Sequence, residues 1–151
     1  MDHLRSDDRL VKVVVELEKN AWHGHRSETM WAEPVAGGDY QLRNVPFFAY
    51  GLSFEDTVQV RKAGEQLLIR KVRSRSGHST YRIFVKDDAD FEKAWGGLES
   101  LGCSYERATE HLYAVDVPAG ASIYAVFAAL EGGKRHGAWD FEEGHCGHPT
   151  R

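Results

Sequence analysis

The sequence predicts an α+β protein in which a small curled β-sheet or barrel precedes a ferredoxin-like βαββαβ subdomain. Three observations predict it. The first half holds only short alternating runs separated by turn residues, as in Val11, Val13, Val15 and Leu17, which is the period of a half-buried strand. The second half interleaves two runs of helical period with strand-like runs. Gly77 sits where one regime gives way to the other, so the boundary is placed there: 11–76 as the β-rich subdomain and 77–143 as the second. Residues 1–10 are expected to be a flexible N-terminus and 144–151 a tail.

In order, Val11 to Glu18 reads as a strand and Trp22 to Ser27 as a loop. Glu28 to Val35 and Tyr40 to Val45 form a hairpin around Ala36-Gly37-Gly38-Asp39, whose glycines supply the positive φ a tight turn needs. Phe47 to Leu52 is an apolar stretch, followed by the strand Thr57 to Arg61, the turn Ala63-Gly64 and the strand Gln66 to Val72. Strands this short and closely spaced suit a barrel or a curled sheet.

Thr80 to Lys86 alternates, with Tyr81 and Ile83 on one face and Arg82 and Phe84 on the other. Asp87 to Asp90 suits a helix N-cap and first turn, and Phe91, Trp95, Leu98 and Leu101 recur at helical spacing up to Gly102. Ser104 to Ala108 and His111 to Val117 form an antiparallel pair. A second helix is expected from Ser122, with Ile123, Val126, Phe127 and Leu130 as its buried stripe and Gly132-Gly133 as its end. Gly137 to Glu142 is expected as the last strand. Strand, helix, strand, strand, helix, strand is the order of the split βαβ arrangement.

The chain has 151 residues and a formal net charge of −4. That length suits one domain or two small subdomains. No run reaches the roughly 18 apolar residues of a membrane helix. The polar N-terminus and the two cysteines, Cys103 and Cys146, lead to the expectation of a cytoplasmic protein with reduced thiols. Arg61, Lys62, Arg70, Lys71, Arg73, Arg75 and Arg82 are opposed within their stretch only by Glu65, so one face is expected to be basic. Net acidity nevertheless argues against nucleic acid, whose binding leans on phosphate attraction.

Chemistry gathers at Arg75 to Arg82. Arg73, Arg75, Gly77, His78, Ser79, Thr80 and Arg82 could cradle a small anion, because a glycine turn exposes backbone N–H groups beside guanidinium and hydroxyl donors. The same residues could equally be a capped loop. Cys103, His145, Cys146 and His148 are zinc-type donors, but a tetrahedral site draws four ligands from separated turns. Cys103, following Gly102, reads as a small buried hydrophobe. Trp95, Trp139, Phe127 and Phe91 read as core, whereas Trp22, Trp31 and Tyr50 beside charged loops could anchor a protein partner.

Several words of the sequence carry a family likeness: Met30 to Pro34, Asn44 to Leu52, Ser76 to Arg82, Leu101 to Cys103 and Trp139 to Glu143. Together they resemble the bacterial family called domain of unknown function 4265, over about Val13 to His148. The resemblance implies a stand-alone bacterial cytosolic protein and assigns no residue a role. The reading is therefore a non-catalytic binding or regulatory module without a cofactor, a toxin-neutralising protein being one form. A small-ligand protein or enzyme using Gly77 to Arg82 is the alternative, and single-stranded nucleic-acid binding a third.

Overall fold

The computed structural model describes residues 9–150, so the expectation for residues 1–10 lies, up to residue 8, outside the described residues. Five strands, β1 (Val11–Glu16), β2 (Ser27–Pro34), β3 (Tyr40–Leu42), β4 (Thr57–Ala63) and β5 (Gln66–Ser74), close into a barrel in sequence order. The sequence left open a barrel or a curled sheet; the parallel pairing of Val14 with Leu68 closes the barrel. Alternation fills it: Val13, Met30, Ala32, Leu42 and Val58 are buried inside, with Leu52 and Ala49 from the β3–β4 connection. The β2–β3 hairpin turns where expected, with φ of 84° at Gly37 and 83° at Gly38, values that side chains resist.

The second half is a four-stranded antiparallel sheet of order β7-β8-β6-β9, made of β6 (Ser79–Phe84), β7 (Ser104–Thr109), β8 (Leu112–Val117) and β9 (Asp140–His145). Two helices, α1 (Asp88–Glu99) and α2 (Ile123–Arg135), connect them. Both begin as the sequence predicts: Asp87 accepts from the Ala89 N–H and Ser122 from the Ala125 N–H, each satisfying one of the free donors of a first turn. Phe91, Trp95 and Leu98 of α1 and Ile123, Val126 and Leu130 of α2 pack on Tyr81, Ile83, Tyr113, Val115 and Val117 of the sheet.

Three expectations in this half need correction. Phe127 is 44% exposed; it sits at the flank of the α2 stripe, edge-on to Phe141 at 5.7 Å. Gly132-Gly133 does not end α2, which runs to Arg135. Gly133 is instead a contact point, where a Cβ would lie 2.3 Å from the indole of Trp139. The last strand spans Asp140 to His145 rather than Gly137 to Glu142, because Trp139 is buried against α2 and donates its indole N–H to the Leu130 carbonyl at 3.0 Å.

Strands β6 and β8 are buried along nearly their whole length. One face meets the helices. The other, carrying Thr80, Arg82, Ala114 and Asp116, meets the irregular segment 43–56 between β3 and β4. Such a segment must have its backbone polar groups met by side chains, and that requirement shapes the site.

Candidate functional site

Phe47, Phe48 and Ala49 form the centre of segment 43–56. The carboxylate of Glu28, buried on β2, accepts from their three successive N–H groups at 2.6, 3.0 and 2.9 Å. From the other subdomain, Arg82 of β6 donates Nε–H to the Phe47 carbonyl at 2.7 Å and Nη2–H to the Ala49 carbonyl. The register of β6 against β9 sets Glu142 directly beside Arg82, and their charged groups lie 4.0 Å apart. Arg82 is fully buried, with Nη1 unpaired among the described residues. Burial lowers its pKa below the usual arginine value, against the pull of Glu142 and Glu28. Gly144 leaves room for it, since a Cβ there would lie 1.8 Å from Nη1 and force the guanidinium to shift.

Further ties complete the fastening. Glu106 of β7 accepts the Val45 N–H at 3.0 Å, and burial raises its carboxyl above the usual range. Thr80 donates to the Leu52 carbonyl at 3.1 Å, which leaves the Ser53 hydroxyl as donor to Thr80 Oγ1 at 2.8 Å. Asp56, also buried, accepts the N–H groups of Ser53 and Ser76 and one guanidinium nitrogen of Arg75.

These contacts absorb most of the turn that the sequence singles out. His78 Nδ1 lies 2.8 Å from Asp116 and Nε2 3.5 Å from Glu55. Burial raises the Asp116 carboxyl, an effect that His78 opposes. Ser79, fully buried, accepts from the Gly147 N–H at 2.9 Å and lies 2.6 Å from His148 Nδ1. Because His148 Nε2 faces the Pro118 carbonyl at 2.9 Å, the neutral ring carries its proton there and accepts from Ser79. Gly77 has a φ of 91°. Arg75 reaches the Gly51 carbonyl and His145 Nε2, and Arg73 pairs with Asp39 at 3.1 Å. The turn thus has carboxylates, not open space, opposite its histidine.

The zinc-type donors do not converge. Among the described residues no group of three or more His, Cys, Asp or Glu side chains is placed to hold a metal ion. Cys103 lies in the helix-side core with its thiol pushed up to about 12 by burial. Both ring nitrogens of His148 are engaged. Cys146 donates to the His148 carbonyl at 3.5 Å.

What segment 43–56 presents outward is aromatic. Trp22 and Tyr50 are 52% and 48% exposed, yet neither is loose. The Trp22 indole N–H donates to the Tyr50 hydroxyl at 3.1 Å, and that hydroxyl donates to the Glu142 carboxylate at 2.9 Å. The Tyr50 ring also lies over Arg82, 5.0 Å from its guanidinium. Burial, then Glu142, raise the Tyr50 pKa above its usual value. Trp22 stands edge-on to Phe84 at 5.1 Å and to Phe48 at 6.0 Å. His25 stacks on Phe48 at 4.3 Å and His23 lies 4.8 Å from it. Phe48, Ala49, Tyr50 and His23, with Val15 to Glu18 and Ala21, line a cavity of about 200 Å³. The sequence named Trp22 and Tyr50 but not Phe48, His23 or His25 as their neighbours; Trp31 is exposed elsewhere on the barrel, under Lys12 at 5.5 Å. The basic residues Arg61, Lys62, Arg70, Lys71 and Arg73 are exposed on β4 and β5, whereas Arg82 is not among them. No helix among the described residues is long and apolar enough to cross a membrane.

A search of curated proteins finds no match. A solved structure described as a novel crystal structure of a hypothetical protein from Neisseria gonorrhoeae is similar in fold, with a TM-score of 0.78 at 17% identity, covering 93% of this chain and 98% of that one. A family model also matches residues 28–141, a span that takes in Glu28, segment 43–56 and the β6 fastening; the chain belongs to the family described as domain of unknown function (DUF4265).

Proposed function

We propose that this chain is a non-catalytic binding module of the bacterial cytosol that engages a protein partner through the Trp22–Phe48–Tyr50 surface. The observation that carries the reading is the Trp22–Tyr50–Glu142 relay, which fixes two half-exposed rings in place. Rigid aromatic rings give large contact area at small cost in conformational entropy, and such residues anchor interfaces. The ring surface draws on the barrel, through the β1–β2 loop, and on β9, so it belongs to the junction of the two halves. We read the second half as a ferredoxin-like subdomain, a reading supported by its β7-β8-β6-β9 order; that fold hosts many unrelated functions, so the docking role rests on the ring surface and not on the fold. A toxin-neutralising protein is one form of the module.

The small-anion reading of Gly77 to Arg82 has less behind it. Arg82, Ser79 and Thr80 are buried and bonded within the chain, and His78 faces Asp116 and Glu55. We take these residues as the fastening of segment 43–56 and of the tail. The test is quantitative capture from cells that make the protein, with wild type beside Trp22→Ala and Tyr50→Ala. A protein retained by wild type and lost by both variants, each folded by circular dichroism, supports the reading; retention by both overturns it.

A further inference from the structure

The cavity beside Tyr50 has a chemistry of its own. Its walls include three rings, Phe48, Tyr50 and His23, together with Glu16 and Glu18 at the end of β1 and the apolar Val15, Leu17 and Ala21. We propose that this cavity is a cation pocket that receives an alkylammonium group, in the form of a lysine side chain of the partner. The inference rests on the docking surface proposed above and deepens it by naming what enters.

Size, walls and charge point the same way. About 200 Å³ accommodates a single aliphatic side chain and excludes a drug-sized ligand, which needs roughly 300 Å³ or more. An ammonium over the faces of aromatic rings gains about 0.5–2 kcal/mol from the ring quadrupole, more as it is desolvated. The tetramethylene stem of lysine suits apolar walls such as Val15 and Leu17.

The wall itself carries carboxylates and neither lysine nor arginine. Glu16 and Glu18 line the cavity, and Glu142 binds the Tyr50 hydroxyl. Of the cations around it, Arg82 is buried under Tyr50 with Glu142 4.0 Å away, Lys19 follows Glu18 and is exposed, and Arg26 adjoins Leu17 through its carbonyl, which accepts the Leu17 N–H. Arg82 also shows that this phenol ring already takes a guanidinium at 5.0 Å. His23 is the wall group that can turn cationic, so the pocket is best matched to an ammonium while that ring is neutral.

The test is a two-dimensional amide NMR titration of the whole protein at constant ionic strength. The probes are tetramethylammonium chloride and Nα-acetyl-lysine-N-methylamide, with the Nε-acetylated lysine analogue as the neutral counterpart. The expected result is saturable shifts at Leu17, Ala21, His23 and Phe48 to Tyr50 with both cations and none with the acetylated analogue. Glu18→Gln, an exposed position, and Phe48→Ala should each weaken binding about threefold to thirtyfold, the span of one cation–π or exposed charge contact. Equal binding of the acetylated analogue, shifts confined to other residues, or affinity unchanged in Glu18→Gln with Phe48→Ala still folded would overturn the proposal, as would no saturable shift. A partner captured by wild type and lost by Tyr50→Ala, combined with no ammonium binding, would sink the cation pocket alone. Ammonium binding with no such partner would sink the docking reading alone.

Discussion

Glu28 and Arg82 hold the stretch Phe47 to Ala49 by opposite kinds of backbone group. The carboxylate takes the N–H groups of Phe47, Phe48 and Ala49, while the guanidinium takes the carbonyls of Phe47 and Ala49. One charge comes from the barrel and the other from the sheet, so segment 43–56 serves as the joint between them, and the rings of Phe48 and Tyr50 project from a backbone with little freedom.

Arg82→Met should therefore be costly. It leaves Glu28 and Glu142 without their buried counter-charge and two carbonyls without donors, a loss of about 3–5 kcal/mol on the experience of broken buried pairs. Glu28→Gln keeps the shape and loses the charge, for roughly 1.5–3 kcal/mol. In urea unfolding the double variant should cost less than the sum, since each single change strands the other's partner.

Glycines separate structural tightness from mere composition. Gly144→Ala drives a methyl onto Arg82 Nη1 and Gly147→Ala drives one onto the His78 carbonyl, 2.2 Å away; each should lose about 1–3 kcal/mol or more. Gly96→Ala, in an exposed stretch of α1 with nothing within 4 Å of the new carbon, should gain about 0.5–1 kcal/mol. Thermal unfolding of the three proteins checks both signs.

The partly buried His145 and the buried Asp116 should give stability opposite pH dependences. His145 titrates below its ordinary 6.5, chiefly from burial and then from Arg75. Its contribution is complete above 6.5 and is lost as pH falls through the lowered folded value, because the unfolded chain then binds more protons. Asp116 titrates above its ordinary 3.8, chiefly from burial. Its folded state holds the extra proton, so this contribution is complete below 3.8 and declines as pH rises through the raised value. Urea midpoints measured across these windows should lose the first slope in His145→Gln and the second in Asp116→Asn.

The tail is latched through Ser79 and His148. Ser79→Ala removes the acceptor of the Gly147 N–H and the donor to His148 Nδ1. If the local opening free energy drops by about 1.4 kcal/mol, Cys146 should react with a thiol reagent about tenfold faster. Cys103, buried and titrating near 12, should stay unreactive until global unfolding.

The strands, hairpins and helix starts were legible in the sequence because each is a local pattern: the Val11–Val15 alternation, Gly37-Gly38, Asp87, Ser122. Even the split of Arg82 and Phe84 from Tyr81 and Ile83 follows from period two. What period two cannot say is that both faces are covered. The cover is segment 43–56, which has no periodicity and is held by partners far away in sequence, Glu28, Thr80, Arg82 and Glu106. Hence Arg82 reads as a surface donor and proves to be a buried brace. Phe127 and Gly133 fail for a related reason: their surroundings are set by Phe141 and Trp139, beyond the helix that carries them. Trp22 and Tyr50 were legible as exposed rings, but the hydrogen bond joining them spans 28 residues.

The most direct test of the account is a hydrogen-exchange footprint of the protein with and without its captured partner. The account predicts new protection at 22–25 and 47–50, absent in the Trp22→Ala and Tyr50→Ala variants. Protection confined to the β4–β5 hairpin or to the Gly77–Arg82 turn, with 47–50 unchanged, would contradict it.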